Sequence, residues 1–187
     1  MLNWLADRMR PGRPAEQAYA AIVAQSRLPA FYEQLGVPDT VTGRFEMIVL
    51  HIVLLADRLR GTGEGAKARN LALSEAFVAD LDSALRELGV SDIIVSKRMH
   101  ALAGAFYGRM AAYDAGLADA EAGPANLEAA ITRNVLAGSA GKTGAAALAR
   151  YVRGAKALLA TQDVETLWRG VIIFPPLDPV GDGETQP

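Results

Sequence analysis

Apolar positions recur every three or four residues along most of this chain, the spacing that gathers side chains on one face of an α-helix. The clearest case is Ser91 to Leu117. Val95, Met99, Leu102, Phe106, Met110, Tyr113 and Leu117 fall on one side of that helix, as a core stripe. Lys97, Ala101, Gly104, Gly108, Ala112 and Ala115 fall on the opposite side, where almost nothing protrudes. A glycine in a helix interior costs about 0.8–1 kcal/mol relative to alanine, so two in register predict a close helix–helix approach. The helix that fills this strip is either a neighbour in the same domain or one supplied by a partner.

The same periodicity places the other elements. Leu2, Leu5 and Met9, with Trp4 beside them, mark a short amphipathic segment ending at Pro11, suited to docking or to a membrane surface. Pro14 opens a helix to about Arg27 with Tyr19, Ile22 and Val23 inward, and Pro29 to Leu35 is a short helix stopped by Gly36. The helix from about Val41 to Arg60 is apolar around most of its circumference, so it belongs at the centre of the fold. Arg44, His51 and Arg58 are spaced by seven and form one polar seam on it, drifting only about 20° per heptad.

A helix from about Ala68 to Leu88 follows, with Leu73, Phe77, Leu81, Leu85 and Leu88 on its apolar side. Beyond the two-faced helix come alanine-rich helices over about Ala125–Ala137 and Gly144–Ala160. The second turns Leu148, Tyr151, Val152, Ala155 and Leu159 inward and Arg150, Arg153 and Lys156 outward. Val171 to Phe174 is a β-branched run, expected to lie extended on the helices, and the Pro/Gly/Asp-rich end from residue 175 is expected to be a disordered tail. The expected fold is all-α: residues 1–13 as an amphipathic segment, 14–174 as a single compact domain of about seven helices with a short extended C-terminal segment, and 175–187 as the tail.

Composition supports this. Alanine, the strongest helix former, makes up nearly a fifth of the 187 residues. The longest uncharged apolar run, Met47 to Ala56, is far short of the roughly 20 residues a membrane span needs, so it reads as a buried core helix. With no secretory signal pattern at the start, a cytoplasmic protein is expected, soluble or peripheral at the membrane. A net charge of −2 gives no global attraction to nucleic acid, and no DNA partner is expected.

Little in the chain suggests bond-making chemistry. Without cysteine there is no thiolate nucleophile and no Cys-based metal site. The Gly138–Thr143 run imitates a phosphate-binding loop, but Leu136 stands where its first glycine belongs and a helix rather than a strand precedes it. Neither His51 nor His100 has a neighbouring pattern of metal ligands, and no nucleophile elbow or triad is recognisable. No catalytic, metal or cofactor-binding residue is expected. Arg150, Arg153 and Lys156, with Lys142, read as a solvated face, and phospholipid head groups or RNA are the other reading.

Several separated pieces resemble, in order, the ubiquinol–cytochrome c chaperone family. They are Phe31-Tyr32 with Gly36-Val37-Pro38-Asp39-Thr40; Arg44-Phe45-Glu46-Met47 leading to Leu50-His51-Ile52-Val53 and Arg58-Leu59-Arg60; Leu88-Gly89-Val90; Lys97-Arg98-Met99; Phe106-Tyr107-Gly108-Arg109 with Tyr113-Asp114; and Ala149-Arg150-Tyr151-Val152-Arg153. The resemblance implies a helical, non-enzymatic assembly factor that binds newly made cytochrome b and supports assembly of ubiquinol–cytochrome c reductase. The basic residues could hold such a protein near the anionic cytoplasmic leaflet, as a peripheral contact with the inner membrane. A small helical partner and the ribosome belong to the mitochondrial relatives, whereas this chain looks like a bacterial version.

Taken together, the two-faced helix and these motifs nominate a partner-binding set: Arg44, His51, Arg58, Lys97, Arg98, Gly104, Gly108, Arg109, Tyr113 and Asp114. Within it, Gly108 and Tyr113 are expected to serve the fold. Two other classes compete: a haem or quinone carrier using His51 and an apolar pocket beside it, and an enzyme with an acid–base pair that no motif reveals.

Overall fold

The computed structural model describes residues 14–87, 89–118, 123–137 and 142–177. Eight helices run through these residues: α1 (Pro14–Ser26), α2 (Pro29–Glu33), α3 (Val41–Leu59), α4 (Ala66–Glu87), α5 (Asp92–Ala118), α6 (Gly123–Asn134), α7 (Lys142–Thr161) and α8 (Val164–Trp168). Seven match the helices expected from the periodicity, with ends shifted by a few residues. The eighth, α8, is too short to show a period. It is set by Asp163, whose carboxylate accepts the Thr166 backbone N–H at 2.9 Å as an N-cap.

α3 is the axis. Met47 to Ala56 are all buried, and the helix packs against α1, α4, α5 and α7 at once, so it needs apolar side chains on nearly every side. Its start is fixed by Thr40, whose hydroxyl accepts the Gly43 N–H at 3.1 Å. Glycine is required at 43 because a β-carbon there would run into the Pro38 carbonyl. On α7, Leu148, Tyr151, Val152, Ala155 and Leu159 are all buried, as their spacing predicts.

After α8 the chain stays extended through residue 177 and pairs with no strand. Ile172, Phe174 and Leu177 lie against the core instead. Gln162 holds this strap by its amide: Nε2 donates to the Ile173 carbonyl and Oε1 accepts the Ile173 N–H, both at 2.8 Å. Helix α6 precedes the Gly138–Thr143 run and α7 begins at Lys142, so that run joins two helices; residues 138–141 lie outside the described residues. So do the amphipathic segment 1–13 and most of the expected tail. Among the described residues no helix is long and apolar enough to cross a membrane.

Candidate partner-binding surface

The polar seam of α3 does not survive as one surface. Its three members turn to three different neighbours. Arg44 is exposed and donates from Nε to Asp39 at 2.6 Å. Arg58 donates to the Leu159 and Gln162 carbonyls, both at 2.8 Å, and so caps the C-terminal end of α7 with a cation where the helix dipole is negative.

His51 is fully buried. Its Nδ1 lies 2.7 Å from the Met47 carbonyl, which can only accept, so the proton sits on Nδ1 and the ring is neutral. Nε2 then accepts from the Tyr151 hydroxyl at 2.8 Å, and that hydroxyl accepts from Gln25 Nε2 at 3.1 Å. Phe31 and Phe174 stand edge-on to the imidazole at 5.5 and 5.3 Å between centroids. Burial in this apolar cage lowers the His51 pKa to about 4, against a smaller opposing pull from the Met47 carbonyl. Both ring nitrogens are occupied, which leaves none to ligate haem. His51 is an internal fastener.

Three further α5 candidates are tied to the fold. Arg109 reaches the buried Glu46 carboxylate with Nε at 2.5 and 2.7 Å from its two oxygens, and its guanidinium stands 5.8 Å from the Phe45 ring centre. Burial raises the Glu46 pKa and Arg109 draws it back down. Burial is the larger effect, so the Glu46 pKa stays above its ordinary value. Tyr113 is fully buried, and loss of water raises its hydroxyl pKa. Asp114 accepts two bonds from Arg60, at 2.9 and 2.5 Å. Nearby, Lys156 binds Asp57 and the Leu117 carbonyl, each at 3.2 Å, so one member of the basic α7 face is tied to the fold.

The remaining four candidates, Lys97, Arg98, Gly104 and Gly108, are exposed on α5. A β-carbon built on Gly104 or Gly108 meets nothing within 4 Å, so among the described residues no helix fills the strip. This corrects the expectation that Gly108 is structural. The glycine at which α5 does touch a neighbour is Gly116, where a β-carbon would lie 2.8 Å from the Leu127 Cα on α6. The α5 core stripe divides in the same way. Val95, Phe106 and Tyr113 are buried, whereas Met99, Leu102, Met110 and Leu117 are half-buried.

A groove of about 430 Å³ opens between α4 and α5, with Met99 and Leu102 in its lining. Phe77, Val95 and Phe106 line it in the interior. Val78 and Tyr107, 46% and 66% exposed, stand on its rim. Asp82, Arg86 and Asp92 sit at one end, the arginine bonded to both carboxylates. Among the described residues no cluster of His, Asp and Glu can hold a metal ion. Shape and lining suit an apolar helix or segment, with Lys97 and Arg98 elsewhere on the exposed surface of α5.

The profile of the family described as Ubiquinol-cytochrome C chaperone matches residues 33–174. This chain belongs to that family. The family is one of non-catalytic assembly chaperones, and every nominated residue lies inside the matched span. The chaperone fold is shared with the crystal structure of the Cbp3 homolog from Brucella abortus, at 36% identity and a TM-score of 0.77, covering 95% of this chain and 98% of that one. The ubiquinol-cytochrome-c reductase complex assembly factor 1 of Xenopus laevis is 24% identical over 122 residues, which is 65% of this chain; the match spans 60% of the length of that relative.

Sequence reasoning named the glycine strip and missed the groove, which the opposite, apolar side of α5 lines. A trace was available: Leu71 and Val78, one heptad apart on α4, lie outside the Leu73–Phe77–Leu81 stripe, and both are exposed. The apolar arc of α4 is wider than its packing inside the domain uses.

Proposed function

We propose that this chaperone binds newly made cytochrome b, without bond-making chemistry, and supports its incorporation into ubiquinol–cytochrome c reductase. The observation that carries the reading is family membership across residues 33–174 together with an apolar groove left open on the α4–α5 face. A membrane protein awaiting assembly exposes helical apolar surface that must be kept from aggregating. A preformed apolar groove can cover such a surface reversibly, because apolar burial contributes about 25 cal/mol per Å² without requiring directional bonds. The exposed Lys97 and Arg98 would hold the complex near anionic head groups of the inner membrane at about 1 kcal/mol per basic residue.

Within the nominated set, Lys97, Arg98, Gly104 and Gly108 are the proposed client-facing residues. Arg44 is exposed and paired with Asp39 beside α2, His51, Arg58, Arg109 and Tyr113 support the surface from within the fold, and Asp114 ties α5 to Arg60 at the surface. A strain deleted for this protein is expected to lose assembled cytochrome b while its transcript persists. Photo-crosslinkers at positions 97, 104 and 107 are expected to capture the nascent client. Normal cytochrome b levels in the deletion strain would sink the proposal.

A further inference from the structure

Residues 1–13 carry an apolar stripe that the proposed function does not use. Leu2, Leu5 and Met9 recur at helical spacing, and Arg8, Arg10 and Arg13 outnumber the lone Asp7. This segment leads directly into α1, which packs along α4. Tyr19 ties the two helices: its hydroxyl donates to Asp80 at 2.8 Å, and its ring centre lies 6.2 Å from that of Phe77. Phe77 also lines the α4–α5 groove, packed against Phe106 with ring centres 5.2 Å apart.

Pro14 is therefore about 7.5 Å of helix from a residue that touches the groove lining. Thirteen residues span about 20 Å as a helix and roughly 43 Å when extended, enough to reach the groove in either form. The chemistry also fits. The groove is apolar, and the carboxylates of Asp82 and Asp92 share the single Arg86 at its end, leaving an excess negative charge opposite an excess of arginine.

We propose that residues 1–13 dock in cis in the α4–α5 groove, with Leu2, Leu5 and Met9 inward. The segment is then an internal placeholder that a client must displace. That second role rests on the proposed client reading; the docking itself does not.

The chain contains no cysteine, so Arg8→Cys offers a single site for a nitroxide spin label. In the isotope-labelled full-length protein, the backbone amides of Val78, Val95 and Phe106 are expected to lose more than half their intensity. Amides of α7 should be spared, and adding Leu5→Asp and Met9→Asp should restore the groove signals. Groove amides unaffected by the label would overturn the proposal. So would broadening that appears only between spin-labelled and isotope-labelled chains in a mixed sample, which would make a second copy the occupant. Broadening seen only with anionic vesicles present would make a membrane the destination and would equally overturn it. A synthetic leucine-rich helical peptide should bind the Leu5→Asp/Met9→Asp protein several-fold more tightly than the unsubstituted chain. Equal affinity, with docking intact, would refute the placeholder role alone.

Discussion

Tyr151 donates a 2.8 Å hydrogen bond to His51 across one hundred positions of sequence, joining α7 to the middle of α3 inside the core. The bond lies in a one-way relay, from the Gln25 amide to the tyrosine hydroxyl to the imidazole to the Met47 carbonyl. Every polar group in it has a partner, which is the condition for burying it without a large penalty. Tyr151→Phe removes the middle link and leaves His51 Nε2 unpaired. The expected cost is about 1–3 kcal/mol, measured by urea unfolding, with secondary structure retained. A change within error would mean that water already serves the imidazole.

The same histidine sets a pH dependence. Its pKa in the fold is about 4, whereas in the unfolded chain it is ordinary, near 6.5. Between those values the unfolded chain takes up a proton that the folded chain refuses. The contribution is therefore fully present above about pH 6.5 and is lost as pH falls through about 4, amounting to about 3 kcal/mol. Unfolding midpoints measured from pH 7 down to pH 4 should fall more steeply for the unsubstituted chain than for His51→Asn. Parallel profiles would show that His51 does not carry the effect.

Glu46 and Arg109 form an ion pair whose carboxylate is fully buried and whose guanidinium is partly exposed. Removing one partner strands a charge. Arg109→Leu is expected to destabilise the fold by roughly 3–5 kcal/mol, and Glu46→Leu together with Arg109→Leu to recover most of that loss. Thermal and urea denaturation of the two single variants and the double variant completes the cycle. Additive losses would mean that the two charges do not act as a pair.

Three glycines on α5 should respond in opposite directions. Gly104→Ala and Gly108→Ala introduce a methyl group into open space and remove backbone freedom from the unfolded chain, for a gain of about 0.5–1 kcal/mol each. Gly116→Ala drives a methyl group into the α6 backbone at Leu127, and a loss of about 1–3 kcal/mol is expected. Melting temperatures of the three variants decide it. Destabilisation by Gly104→Ala would reveal a contact that the open strip does not show.

On the proposed client face, Val78→Asp with Tyr107→Ser should lower assembled cytochrome b in cells while leaving thermal stability nearly unchanged, because both side chains stand in solvent on the rim. Loss of both together would assign these residues to folding.

Local pattern was enough to establish the helices and their inward faces. The stripes on α1, α3 and α7 follow from the 3.6-residue period, and burial of those stripes is what folding requires. The all-α class and the family resemblance were equally legible, since both depend on residue order.

The partner of each polar group was not legible. Arg44, His51 and Arg58 share one face of one helix, yet they end at an exposed aspartate, a buried tyrosine and the last turn of α7. Which of these each meets depends on how α2, α7 and the strap close over α3, at separations of up to about a hundred residues. The glycine strip and the groove show the same division. Sequence spacing put Gly104 and Gly108 on a smooth face and Phe77 and Phe106 on apolar faces. Only the tertiary arrangement decided that the first stays bare and the second lines a groove, because packing between helices is set by the whole set of neighbours.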